Sequence, residues 1–304
     1  MHVLLPVAGI GINLLLLLAV GMLVGFLSGL VGVGGGFLLT PVLMMIGVPP
    51  TVAAASGTNA LIATSSSATG VHFRLGNVDL KLGGILLLGG LAGAEIGVRI
   101  IKILRALGSA DFVITLTYVV VLGCVGSFMF VESLHGLRRG ILAPETHNPV
   151  EHKNLFKKLP FQMNFPRSNV QHSVFVPFVL CVLVGMLAAV MGVGGGFIMV
   201  PMMVYLLRMP MHVAIGTDLF QIMFTCAGVT LMQAVTNHTV DVVLALLIAV
   251  GSTVGAQIGA RLSRLLRGHQ LKIILASIVL LVTVKMAVGL IMAPSNVLSY
   301  ASGQ

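Results

Sequence analysis

Runs of 18 or more apolar residues recur along the whole chain, the first of them over residues 10–31. Each run is long enough to cross about 30 Å of hydrocarbon as a helix. Composition leaves no alternative medium. Of 304 residues, 57% are hydrophobic and 8% charged, with a mean hydropathy of +1.09; ordinary soluble domains carry about 25% charged residues. There is too little polar surface to cover a water-soluble globule of this size. A cytosolic enzyme is excluded, as is a disordered or collagen-like chain. The expected fold class is an all-α polytopic membrane protein.

The formal net charge of +9 does not indicate nucleic acid. Nine charged residues fall between Glu132 and Arg167, and most others sit in three short loops. Those loops hold Arg74, Asp79 and Lys81; Arg99, Lys102, Arg105 and Asp111; and Arg261, Arg264, Arg267 and Lys272. Lys and Arg clustered beside apolar spans are a membrane-topology signal, and they lack the aromatic-interleaved face of a nucleic-acid binder. Cys124, Cys181 and Cys226 stand singly in apolar stretches, so neither a disulfide framework nor a metal site can be built from them. No cofactor and no metal are expected. The first apolar run has no basic residue before it and no clear cleavage site, and reads as a retained helix.

The chain is written twice. Gly32-Val33-Gly34-Gly35-Gly36-Phe37 recurs as Gly192-Val193-Gly194-Gly195-Gly196-Phe197, with Pro41 matched by Pro201. Gly57-Thr58-Asn59 matches Gly216-Thr217-Asp218, and the block Gly93 to Arg99 matches Gly255 to Arg261. Three collinear blocks argue for duplication. Residues 1–131 and 174–304 then form two repeats of about four transmembrane segments each. In each, a short apolar run (36–47 or 196–207) is expected to continue into the next (51–72 or 212–236). A polar linker with four prolines, residues 132–173, lies outside the membrane. The basic loops at 99–111 and 261–272 occupy equivalent places in the two repeats. An even number of crossings per repeat would put both on the cytoplasmic side, with the termini and the linker outside.

Small residues recur every fourth position at Gly21, Gly25 and Gly29, at Cys181, Gly185 and Ala189, at Gly89, Gly93 and Gly97, and at Gly251, Gly255 and Gly259. Such faces let helix backbones approach closely within a bilayer, so a packing role is expected of them. The adjacent triplets are different. Each interior glycine costs a helix roughly 1 kcal/mol relative to alanine, so Gly34, Gly35, Gly36 and Gly194, Gly195, Gly196 mark breaks near the midplane. Irregular backbone there survives only when buried in protein or lining a cavity. Successive glycine N–H groups can form an anion-binding nest, and the short helix that follows aims its positive end at the same place. Nucleotide-loop readings fail, because no Lys-Ser/Thr and no strand accompany the glycines. Broken helices at equivalent places in two repeats point to a transporter's binding site.

Three charges lie within spans: Glu95, Asp218 and Lys285. Glu95 is four residues before Arg99 and is expected to pair with it. Lys285 can snorkel to an interface. Asp218 follows Gly216-Thr217 and has neutral Asn59 as its repeat mate; an intramembrane carboxylate of this kind is expected to couple transport. Thr58, Asn59, Thr217 and Gln221 are the expected polar partners of the substrate, the amides of Asn59 and Gln221 being donors to an oxyanion. An intramembrane enzyme using Ser65, Ser66 or Ser67 with His72 is the rival from another class, with no catalytic residue assigned in the preferred reading. A membrane scaffold recruiting partners through its linker is the other rival.

At its glycine blocks the sequence resembles the sulfite exporter TauE/SafE family of bacterial membrane permeases, over nearly all of its length. The resemblance implies a duplicated helical fold in the inner membrane and transport of small oxyanions such as sulfite and sulfonates. The expected partners are a small-molecule anion and the lipid bilayer, with a homodimer as one arrangement and proton-coupled anion import as the alternative direction.

Overall fold

The computed structural model describes residues 2–31, 36–138, 162–165, 170–207, 209–262 and 268–292. Gly34 and Gly35 of the first expected break lie outside the described residues, as does most of the linker. The described chain is all-α apart from two small antiparallel hairpins. The first pairs β1 (His2–Leu5) with β2 (Ile10–Asn13), and the second pairs β3 (Gln162–Phe165) with β4 (Val170–Ser173). Helices α1 (Leu14–Val31), α2 (Gly36–Met45), α3 (Pro50–Arg74), α4 (Leu80–Ala106) and α5 (Ala110–Arg138) make up the first half. Helices α6 (Phe175–Met191), α7 (Gly196–Tyr205), α8 (Met211–Thr236), α9 (Val242–Leu262) and α10 (Gly268–Met292) make up the second.

Helices α4 and α8, with the stretches Ala110–Phe128 and Val242–Gly259, are long and apolar enough to cross a membrane by length and composition. Helices α3 and α10, of 25 residues each, run alongside them and reach about 37 Å at 1.5 Å per residue. Leu23, Leu88, Val120, Leu231, Leu246 and Leu281 are exposed on the outer surface of the bundle, as lipid-facing side chains should be.

The four-residue spacing of small side chains works as the sequence suggests. Gly21, Gly25 and Gly29 of α1 meet Ile248, Ser252 and Ala256 of α9, while Gly93 and Gly97 of α4 meet Val182, Met186 and Ala189 of α6. A Cβ at Gly25, Gly29, Gly93 or Gly255 would fall inside the partner helix's backbone. In both pairs residue numbers rise together, so α1 is parallel to α9 and α4 is parallel to α6. The reciprocal pairing continues inward, α3 packing on α8 and α9, and α8 packing on α3 and α4.

Helix direction corrects the expected topology. The apolar run 36–47 does not continue into 51–72. It reverses at Gly47 (φ +97°) and Pro49, so α2 runs back along the first half of α3, with Gly36 beside Leu61 and Thr40 beside Gly57. Helices α1 and α2 thus form a hairpin that returns to the face it started from, and among the described helices each half crosses three times rather than four. An odd number inverts the second half. Thr58 of α3 reaches Thr230 of α8 at 2.8 Å, and His72 lies beside Gly216, so α3 and α8 are antiparallel. The start of α1, the α4–α5 turn and the end of α10 lie at one face of the bundle, here the first. The α3–α4 turn, the end of α9 and both helix ends that border the linker lie at the other, the second face. The ends of α4 and α9, which border the basic loops, are therefore on opposite sides, and the helix ends that border the linker are opposite the start of α1 and the end of α10.

A charge-neutral labelling experiment checks this. With the native cysteines replaced by alanine, Leu75→Cys and Leu262→Cys should react with an impermeant maleimide from one side of the membrane, and Leu107→Cys from the other. Labelling of Leu107→Cys and Leu262→Cys from the same side would restore the uninverted arrangement.

Candidate functional site: two helix breaks and a one-sided cavity

The second break is fully described. Helix α6 ends at Gly192 (φ +70°), Gly194 (φ +74°) and Gly195 (φ +82°) follow, and α7 starts at Gly196. Positive φ is open to glycine and strained for other residues. The break is walled in on every side: a Cβ on Gly192 would strike Ala54 of α3, one on Gly194 would meet Ile222 and Cys226 of α8, and one on Gly195 would strike Val184 of α6. Tyr118 of α5, with no exposed surface, donates its hydroxyl to the Met191 carbonyl at the end of α6. Burying a broken helix in protein is the condition for keeping it at membrane depth.

The two breaks meet. Leu61 Cδ1 lies 2.5 Å from a Cβ built on Gly36 and 3.0 Å from one built on Gly194. The Phe37 and Phe197 rings, one from each glycine block, stack with centroids 5.6 Å apart and planes at 28°. The N-termini of α2 and α7 therefore converge on one buried junction, with Leu61 filling the space between them. The first N–H groups of a helix have no intrahelical acceptor, and each such terminus carries roughly +0.5 charge.

The junction is approached from the second face. A cavity of about 490 Å³ at the second face is bounded by α1, α3, α8 and α9. Its polar lining includes Ser28, Thr64, Ser65, Ser67, His72 and Gln257. Ser28 and Thr64 also flank the small recess that holds Gly36 and Leu61, so the cavity ends at the start of α2. Between α8 and α4 the packing is close. Gln221 donates to Thr225 Oγ1 at 2.8 Å, and both are buried against Gly90 of α4.

The polar residues singled out in the sequence do not form one cluster. Thr58 and Asn59 lie toward the first face and Thr217 and Asp218 toward the second, because α3 and α8 run antiparallel. Thr58 donates to the Ala55 carbonyl at 2.7 Å and contacts Thr230. The Asn59 Nδ2 is buried with no hydrogen-bond partner among the described residues. Thr217 accepts from the Asp79 N–H at 3.1 Å, which makes it a brace for the start of α4. Asp218 is 2% exposed, with Oδ1 unpartnered among the described residues, and it does not line the open cavity. Glu95 pairs with Arg99 at 2.7 Å as its spacing implies, and Lys285 is exposed. His72 shares the cavity wall with Ser65 and Ser67. Yet Ser65 donates to the Leu61 carbonyl, Ser66 donates to Ala63, and His72 Nδ1 has no partner among the described residues. Among the described residues, Ser65 and Ser66 thus turn their hydroxyls to their own helix and not to His72.

Two residues that sequence reasoning passed over are Asp79 and Asp241. Asp79 caps α4 by accepting from Lys81 and Leu82, and Asp241 Oδ1 accepts from Leu244 at the start of α9. The backbone N–H of Asp241 donates to Ser56 as that of Asp79 donates to Thr217. An Asp just before an apolar run is a helix-start signal, and the two sit at the offset of the third repeated block.

The protein is a multi-pass membrane transporter, with the lipid bilayer around it and a small molecule as its substrate. It belongs to the sulfite exporter TauE/SafE family, whose sequence profile matches residues 17–286. Similar proteins include the probable membrane transporter protein YunE of Bacillus subtilis, 25% identical over 89% of this chain and 96% of the relative. The probable membrane transporter protein YjnA of the same bacterium is 26% identical over 89% of this chain and 98% of the relative. A sulfite exporter TauE/SafE family protein of Arabidopsis thaliana, number 3, is 30% identical over 31% of this chain and 20% of its own length. No solved structure matches the chain significantly.

Tyr118→Phe tests the cage around the second break. It strands the Met191 carbonyl in the interior, and leaving a buried polar group unpaired costs about 1–3 kcal/mol. Unfolding of the purified protein in mixed detergent micelles should shift by that amount, and an unshifted transition would remove Tyr118 from the support of the break.

Proposed function

We propose that the protein is a secondary transporter exporting a small oxyanion, such as sulfite or a sulfonate, across the bacterial inner membrane. The observation that carries this reading is the convergence of α2 and α7 on one buried junction at Leu61. Two helix N-termini, at roughly +0.5 charge each, balance one negative charge without a buried arginine. The family's description names sulfite export, and the cavity that ends at Gly36 supplies a path. Leu61 must yield for an anion to touch both termini.

Direction follows from charge. By sequence position, 13 of the 17 Lys and Arg residues adjoin helix ends at the second face or fall in the linker that follows one of them. The positive-inside bias assigns that face to the cytoplasm and both termini to the outside. The cavity then opens inward, where an exporter collects its substrate. A negative-inside potential drives an anion outward by about 2.3 kcal/mol per charge per 100 mV, so export proceeds without a coupled ion. Uptake against it requires one.

Asp218 is the residue through which coupling would act. Enclosed and with one oxygen unpartnered, it needs a proton or a cation beside it, since an unpaired buried charge costs several kcal/mol. In proteoliposomes, sulfite, sulfoacetate or thiosulfate should show saturable flux through the wild type. Asp218→Asn should keep anion exchange and lose its response to a pH gradient; Asn59 shows that an amide suits the equivalent position. Saturable flux of no small anion would overturn the proposal, and a wild-type gradient response in Asp218→Asn would leave the carboxylate a structural role.

A further inference from the structure

We propose that the mouth of the open cavity carries an anion-recruiting site built on Arg261 and Gln257, distinct from the junction of the two breaks. It rests on the oxyanion reading above and takes the same class of ligand, a sulfite or sulfonate head group. The two halves differ at one informative place. In the first, Glu95 and Arg99 stand four residues apart on α4 and pair at 2.7 Å, both of them exposed. In the second, the corresponding positions on α9 are Gln257 and Arg261, and both line the cavity. Replacing the carboxylate by an amide removes the internal partner and leaves a guanidinium with a neutral donor one turn away.

The surroundings suit an anion. Among the described residues, no Asp or Glu lines the cavity. His72, across from α9 on α3, has Nδ1 buried and without a hydrogen-bond partner among the described residues. Ser67 on α3 and Thr253 on α9 add hydroxyls to the lining. A cavity of about 490 Å³ has the bulk volume of roughly sixteen waters, so a small oxyanion can enter with part of its hydration. The planar guanidinium offers two parallel N–H donors to two oxygens of one head group, a geometry that lysine lacks. Walls of low dielectric focus the field of the Arg261 cation into the cavity and raise the local anion concentration.

The test uses the full chain in nanodiscs for equilibrium binding of radiolabelled sulfite, and in proteoliposomes for concentration-dependent flux. Arg261→Gln should weaken binding and raise KM roughly tenfold to a hundredfold, the range for a lost hydrogen bond to a charged group, with maximal flux preserved. Gln257→Glu should do the same with Arg261 intact, because it recreates the pair seen at Glu95 and Arg99. Arg261→Lys should recover only part of the affinity, and Arg99→Gln should change neither constant. In a wild type that transports, unchanged Kd and KM in both Arg261→Gln and Gln257→Glu overturn this site and leave the oxyanion reading standing. In a wild type that moves no anion, that reading falls. Sulfite binding abolished by Arg261→Gln would still support the site, and absence of binding would overturn it.

Discussion

A helix broken inside a membrane must hide its open backbone in protein, and the architecture is arranged around that requirement. Water is not available to the N–H and C=O groups freed at Gly192 to Gly195, so neighbouring helices have to close over them. They can do so only by approaching almost backbone to backbone. The contacts of α1 with α9 and of α6 with α4 through Gly25, Gly29, Gly93 and Gly97 provide that approach. Tyr118 completes the enclosure from α5. Packing and function are thus joined: without the small-residue faces no break could persist at this depth.

The inverted direction of the two halves follows from the same breaks. A chain that turns back at Gly36 and again at Gly47 uses its first two helices without changing sides. Three crossings remain, and the second half begins from the opposite face. Antiparallel α3 and α8 then bring the two glycine blocks to a common centre, where Phe37 stacks on Phe197. The halves are not in equivalent states around that centre. The space bounded by α1, α3 and α9 is open, whereas Gln221 and Thr225 pack closely against Gly90. Under the proposed function, an open side and a packed side around one buried junction form the arrangement from which access would alternate.

Much of this was legible in the residues themselves. The apolar runs specify the spans, and the adjacent glycines specify the breaks. Four-residue spacing identifies the packing faces, and Glu95 with Arg99 is a pair that spacing alone predicts. The direction of α2 was not legible. Apolar content is the same whether a segment continues or reverses, and Gly47, Pro49 and Pro50 fit either a kink or a turn. That one ambiguity carried over to the sides of the loops and to the separation of Asn59 from Asp218. The role of Tyr118 is equally hidden, because its partner is a backbone carbonyl 73 positions away. Asp79 and Asp241 could have been found as paired helix starts, since both precede apolar runs.

The claim on which the account turns is that the two breaks together hold the anion. Selenite shares the charge and pyramidal shape of sulfite and carries a strong anomalous scatterer. A crystal structure of the full chain with selenite, phased at the selenium edge, should show a peak within hydrogen-bond reach of the backbone N–H groups at Gly36 and at Gly194 to Gly196, with Leu61 displaced. Full occupancy of selenite at any other place, with that junction still filled by Leu61, would contradict it.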